Sequence, residues 1–281
     1  MKPLTDRIAL VTGASRGVGK GIALGLGEAG ATVYVTGRTI EEGTAASKLP
    51  GTIGQTAAEV TNLGGQAAAI QCDHADNEAV KALFQQIQRD HNRLDILVNN
   101  VWGGYEHYTD GTPFWEEKGF WMAPLSRWDA MFQCGVRAHY TAGVLAAPIM
   151  IEQGSGLIVN ISFFAAQLAH LGVAYGAAKA ATDRLAITMA HELRPYNIAA
   201  VSLYPGLVRT ESVMANADHF DLSNSESPQF IGRAVAALAA DPKIMEKSGR
   251  ILVAAALAQE YGFTDIDGKQ PIPLTLKTFM K

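Results

Sequence analysis

The sequence predicts an α/β fold: a doubly wound parallel sheet with helices on both faces. Two observations carry that expectation. Short apolar runs of strand length alternate with longer helical stretches along most of the 281 residues, and strictly alternating units of this kind close into a parallel sheet. The runs are also mostly apolar throughout, as strands covered on both faces must be. Strands are expected at Ile8–Val11, Thr32–Val35, Gln66–Gln71, Leu94–Val98, Gly156–Ile161, Ile198–Leu203 and Ile251–Val253. Helices are expected near Gly17–Ala29, Gly54–Leu63, Asn77–Asp90, Ser126–Glu152, Val173–Leu193 and Pro228–Ala240. In such a sheet ligands sit outside the carboxyl ends of the strands. Thr12, Gly37, Arg38, Asp73, Asn99, Ser162 and the Pro205-Gly206 pair all fall there.

Three stretches break the alternation. Thr44 to Gln55 lengthens the passage after the second strand, Trp102 to Leu125 is an aromatic-rich excursion after the fourth, and Gln259 to Lys281 forms a tail. No linker divides the chain, so residues 1–281 are expected to form one domain with an insertion near 102–125 and a C-terminal extension over 259–281. The net charge is -4 and no long Lys or Arg run occurs, which argues against a nucleic-acid partner and for a small molecule. Cys72 and Cys134 lack metal-ligand or CxxC spacing and read as reduced, packed thiols, which suits a cytoplasmic protein. Met1 to Thr5 leads straight into the first strand, and no apolar stretch is long enough to span a bilayer, so neither a signal peptide nor a membrane span is expected. The histidines form no metal-ligand pattern, and none is assigned a role.

Two motifs carry chemistry. The first strand runs directly into Thr12-Gly13-Ala14-Ser15-Arg16-Gly17-Val18-Gly19 and then into a helix. Glycines let the backbone approach an anion, and the free amides of the first helical turn face it, so strand, glycine turn and helix in that order form a phosphate site. The second motif is Tyr175-Gly-Ala-Ala-Lys179, with Ser162 thirteen residues before the tyrosine. Helical spacing puts the phenol and the ammonium on one face, a single turn apart. A free tyrosine has a pKa of about 10, and a nearby cation draws it toward the working range. Such a phenol can protonate a carbonyl oxygen as hydride arrives, or take the proton from an alcohol in reverse.

In order and spacing, the glycine turn, Asn99-Asn100, Ser162, Tyr175-x-x-x-Lys179 and Pro205-Gly206 resemble the short-chain dehydrogenase/reductase family, over roughly Arg7 to Val253. The resemblance implies a single Rossmann-type domain with a seven-stranded sheet and a nicotinamide dinucleotide cofactor. It implies Tyr175 as the catalytic acid/base, Lys179 as the group that lowers the phenol pKa and holds the nicotinamide ribose, and Ser162 as the hydrogen-bond donor to the reacting oxygen. It places Gly13, Ser15, Arg16, Gly17, Val18 and Gly19 at the cofactor, Asp73 at the adenine, Asn99 as a brace of the cofactor loop, and Pro205, Gly206, Val208 and Thr210 near the nicotinamide. More narrowly, Leu49-Pro-Gly-Thr-Ile53, the segment from Trp102, Gly135 to Tyr140 and Tyr261 to Asp265 resemble one subgroup of that family. That subgroup is associated with NADPH-dependent reduction of steroid ketones and other bulky carbonyls. Related proteins pair helices like those over 126–152 and 173–193 across a twofold axis, which implies a homodimer or homotetramer. One departure stands out: Gly135 occupies the position where many members carry an asparagine that anchors a water linking the lysine to solvent.

The residues themselves indicate which dinucleotide. An Asp at the end of the second strand would bind a ribose 2'-hydroxyl and repel a 2'-phosphate, but Gly37 and Arg38 stand there. With Arg16, two guanidiniums fall near one ribose, which suits a phosphate and favours NADP(H) over NAD(H). The expected substrate is a bulky hydrophobic ketone or aldehyde in a pocket walled by Trp102, Trp121, Phe163, Phe164 and Tyr204, since small-molecule pockets are mostly apolar; these aromatics can equally be loop packing. The alternatives are a 3-oxoacyl-thioester reductase and a non-catalytic dinucleotide-binding sensor or scaffold.

Overall fold

A computed structural model describes residues 2–104, 119–169 and 171–280. Tyr105, Tyr108, Phe114 and Trp115 of the aromatic excursion therefore lie outside the described residues. The strands are β1 (Ile8–Val11), β2 (Thr32–Gly37), β3 (Gln66–Gln71), β4 (Ile96–Asn99), β5 (Gly156–Ile161), β6 (Ile198–Tyr204) and β7 (Ile251–Val253), and the helices are α1 (Gly17–Glu28), α2 (Ile53–Asn62), α3 (Asn77–His91), α4 (Leu125–Ala130), α5 (Ala138–Gln153), α6 (Val173–Leu193), α7 (Glu211–Met214), α8 (Pro228–Ala240) and α9 (Ala254–Tyr261). All seven strands are parallel, in the order β3-β2-β1-β4-β5-β6-β7. The expected doubly wound, Rossmann-type sheet is thus present. The chain winds outward from β1 to β3 and returns to β4 beside β1, so the reversal, where such sheets bind ligands, lies between the ends of β1 and β4.

Successive strand residues point to opposite faces, and the core divides accordingly. Ala9, Val11, Val33, Val35, Val98 and Val159 pack under α1, α8 and α9; Leu10, Tyr34, Leu97, Ile158 and Ala200 pack under α3, α5 and α6. On the first face α1 and α8 meet backbone to backbone. A Cβ on Gly25 would lie 2.3 Å from the Gly232 carbonyl carbon, and one on Gly232 would lie 2.1 Å from the Gly21 carbonyl oxygen.

Two expectations need correction. The helix anticipated over 126–152 is α4, then a π-helical segment over Met131–Arg137, then α5 with Pro148 inside it. The tail does not start as an extension: Gln259 lies inside α9, whose Ala254, Ala255, Leu257 and Ala258 are buried. Beyond α9 the chain is held by Asp265, which accepts hydrogen bonds from the Ser227 amide (2.8 Å), the Ser227 hydroxyl and Arg209 (3.1 Å). Among the described residues, no helix is long and apolar enough to cross a membrane.

Candidate active site

At the end of β1 the chain turns through Gly13, in the left-handed region at φ 67°, whose Cβ would lie 2.8 Å from the Val101 Cα. Gly17 (φ 58°) starts α1, and a Cβ on Gly19 would fall 2.2 Å from the Gly13 carbonyl oxygen. Only glycine permits this closure. The Thr12 hydroxyl accepts from the Asn100 and Val101 amides at 2.9 and 3.0 Å, and the Asn100 side-chain amide donates to the Thr12 and Gly13 carbonyls at 3.0 and 2.9 Å. The loop brace is therefore Asn100. Asn99, expected in that role, is buried and donates instead to Asn160 (2.9 Å) and to the His139 carbonyl (3.3 Å), because it is the last residue paired within the sheet.

The turn exposes helical amides to an anion, and a carboxylate of the chain itself uses one: Glu211 accepts from the Gly17 amide at 2.8 Å. That contact, with the close glycines, shows that the cradle suits a phosphate. Thr210 beside it caps α7 through the Val213 amide at 3.3 Å. Arg16 donates to the Pro50 and Gly51 carbonyls (2.9 and 2.7 Å) and to Thr39 (3.3 Å), so the Thr44 to Gln55 excursion folds onto the glycine turn. Burial lowers the Arg16 pKa; Glu211 and Glu42 oppose, and the charge of nearby Arg38 adds to the lowering. Arg38 is exposed, Ser15 buried and Val18 half-buried. Asp73 is exposed and closes its own turn on the Ala75 amide at 3.0 Å.

Beyond β5, α6 carries Tyr175 and Lys179. Lys179 is 7% exposed; its Nζ donates to the Ile161 carbonyl at 3.3 Å and lies 5.7 Å from the centre of the Tyr175 ring. Burial pushes its pKa down to about 7, with Asp183 one turn on pulling upward. Ser162, 2% exposed, donates to the Lys179 carbonyl at 3.2 Å. The structure thus brings Ser162, Tyr175 and Lys179 together where β5 and α6 meet.

The proposed aromatic walls divide. Trp102 meets Tyr175 edge-on at 5.5 Å between ring centres, and Phe163 lies 6.4 Å from the same ring. Trp121 is 70% exposed. Tyr204 and Phe164 are corrected: both are buried and pack on each other at 4.9 Å, with the Tyr204 hydroxyl donating to Asp183, so neither side chain faces an open pocket. Asp183 also accepts from Ser202 at 2.6 Å, and burial raises its pKa despite those donors.

Two residues without a sequence-assigned role belong here. His139 is buried with Nε2 3.0 Å from the Val101 carbonyl; burial, then the Lys179 charge, push its pKa down to about 3, so the neutral ring donates and holds the chain beside Trp102. Its place one helical turn after Gly135 was the available signal. Glu226 is buried and accepts from the Gly206 amide at 2.7 Å, and burial pushes its pKa up to about 7. Nothing in its local sequence marked it. Among the described residues, no His, Cys, Asp and Glu group could hold a metal.

A glycine turn at the sheet reversal, and a half-buried Tyr175 with a buried Lys179 beside a serine, are the parts that a dinucleotide-dependent oxidoreductase requires. The family model for short chain dehydrogenases matches residues 7–220, and the chain belongs to that family. It is 42% identical over 281 residues to Dehydrogenase/reductase SDR family member 1 of Mus musculus, covering 95% of this chain and 85% of that protein. Identity to the Homo sapiens protein of that name is 39% with the same coverage, in keeping with the subgroup resemblance. A solved 7α-hydroxysteroid dehydrogenase complexed with NADH and 7-oxo glycochenodeoxycholic acid superimposes with a TM-score of 0.71 at 26% identity, over 95% of this chain and 96% of that one.

Proposed function

We propose that residues 1–281 form a single NADP(H)-dependent oxidoreductase that reduces a ketone or aldehyde on a bulky hydrophobic substrate, such as a steroid or xenobiotic carbonyl. The observation that carries this is Lys179, buried one helical turn from Tyr175 with its Nζ against the tyrosine ring. When bound, the cofactor supplies or accepts the hydride. The chain does the rest. Gly13, Ser15, Gly17, Val18 and Gly19 cradle the pyrophosphate, with Asn100 holding their loop shut. Arg38 binds the 2'-phosphate, backed by Arg16, and no carboxylate stands at Gly37 to repel it. Asp73 meets the adenine, and Pro205, Gly206, Val208 and Thr210 line the nicotinamide end. Tyr175 delivers its hydroxyl proton to the carbonyl oxygen as hydride arrives at the carbon, Ser162 orients that oxygen, and Lys179 steadies the phenolate left behind.

The steroid-active structural relative supports the substrate class, as do the Trp102 and Phe163 rings beside Tyr175. A cytoplasmic protein pairing through α5 and α6 completes the proposal; Tyr140, Val144 and Val173 leave apolar surface exposed on those helices. The test is NADPH oxidation measured against steroid, quinone, aldehyde and 3-oxoacyl substrates, with Tyr175→Phe as control. Turnover on bulky ketones that disappears in Tyr175→Phe while the NADPH Kd holds is the expected result. Comparable kcat in that variant would assign the acid to another residue, and cofactor binding without turnover on any substrate would favour a sensor.

A further inference from the structure

The Lys179 ammonium lies 3.9 Å from the centre of the Trp102 ring. That is within the range in which an ammonium over an indole face is attracted by the ring quadrupole, and tryptophan is the strongest such partner. The indole reaches this place because Gly135 has no side chain: a Cβ there would fall 2.4 Å from Cζ3 and 2.6 Å from Cε3 of Trp102. The indole and a side chain at 135 therefore compete for one space.

The chain on both sides of Trp102 is held. Before it, His139 grips the Val101 carbonyl. After it, a Cβ on Gly103 would lie 2.8 Å from the Ala130 carbonyl oxygen, and one on Gly104 would lie 2.6 Å from Cγ of Met131, so the segment rests against the start of the π-helical turn at backbone distance. Turns of that kind recur at functional sites. The same indole touches the Tyr175 ring. One residue thus contacts both members of the proton-transferring pair.

We propose that Trp102 is the positioning residue for Lys179, holding its ammonium on the indole face in the space that Gly135 leaves open. This rests on the roles given above to Tyr175 and Lys179. Among the described residues the buried ammonium donates one hydrogen bond, to the Ile161 carbonyl, and needs further stabilisation of its charge; the indole supplies it without a hydrogen bond acceptor. The titratable groups around Lys179 are Tyr175 and Asp183 on α6 and His139 on α5. Among the described residues, Asp183 is the one that supplies a stabilising negative charge, and it also answers to Ser202 and Tyr204.

The experiment titrates Lys179 in cofactor-free protein by NMR of 13Cε-labelled lysine, the resonance being identified by its loss in Lys179→Arg. Trp102→Leu keeps the site apolar and removes the quadrupole, so the Lys179 titration should move down by about one pH unit, with Trp102→Phe in between. Gly135→Ala leaves Trp102 in place but pushes the indole aside, and should move the titration the same way. In the alcohol-oxidising direction, kcat at neutral pH should fall by about tenfold in Trp102→Leu, with the limb that reports ionised Tyr175 moving to higher pH. An unchanged Lys179 titration in Gly135→Ala and Trp102→Phe would overturn the proposal. Because the titration needs no turnover, it stands apart from the fate of the catalytic assignment, which Tyr175→Phe decides.

Discussion

Glu226 is the residue whose titration should be felt by the whole protein. Its carboxylate binds the Gly206 amide inside a closed turn, in which the Arg209 amide donates to the Glu226 carbonyl and the Glu226 amide to that of Leu207, both at 2.8 Å. Burial raises its pKa from 4.5 to about 7, with the Asp265 charge adding to the rise and the Gly206 amide and Arg209 opposing it. The folded protein therefore holds a proton on Glu226 that the unfolded chain has lost between about pH 4.5 and 7, and stability falls as pH rises through that window. At about 1.4 kcal/mol per pH unit the effect approaches 3 kcal/mol. Glu226→Gln keeps an oxygen for the Gly206 amide and removes the ionisation. Urea unfolding of both proteins from pH 4.5 to 8 isolates it, because every other group cancels in the difference. The glutamine variant should gain on the parent by about 3 kcal/mol between the two ends of the series. A constant difference across pH would show that Glu226 titrates normally and that the turn around Gly206 is open to water.

Arg38→Ala should weaken NADPH binding by one to two decades, about 1.5–3 kcal/mol, and leave NADH nearly unchanged; equal affinities for both cofactors in the unmodified protein, by isothermal titration, would refute the 2'-phosphate assignment. Arg16→Ala should weaken both cofactors by isothermal titration, because it frees the Pro50 and Gly51 carbonyls, and should lower the NADPH preference less than Arg38→Ala does. Tyr204→Phe should cost about 1–3 kcal/mol of stability, since Asp183 loses a buried donor, while the ratio of kcat/KM for large and small ketones stays the same; a change in that ratio would return Tyr204 to the pocket.

What could be read from the sequence was whatever depends on local pattern. β1, β3, β5, β7, α6 and α8 stand at the expected residues, because an apolar run or a helical period marks its own limits. The Tyr175-Lys179 pair was visible for the same reason, as one helical turn. The π-helical turn was not, and neither was the packing of Trp102, from another element, against Gly135 within it. Asn99 and Asn100 are adjacent, and which of them braces the loop depends on where β4 stops. Tyr204 and Phe164 look like pocket aromatics until Asp183, distant in sequence from both, claims the Tyr204 hydroxyl. Glu211 and Glu226 are ordinary surface-type residues in the sequence, and their partners Gly17 and Gly206 are reached only through the fold.

The glycine-to-glycine seam between α1 and α8 bears on how this site can be inherited or moved. The glycine turn owes its aim to α1, and α1 owes its position to a helix that starts more than two hundred residues later. Neither Gly25 nor Gly232 can drift to alanine alone, because each added methyl would meet the other helix's main chain. A change at either needs a matching retreat along both helices. Transplanting the glycine turn with β1 and α1 onto another sheet would therefore carry the motif without its alignment. The smallest portable unit includes α8.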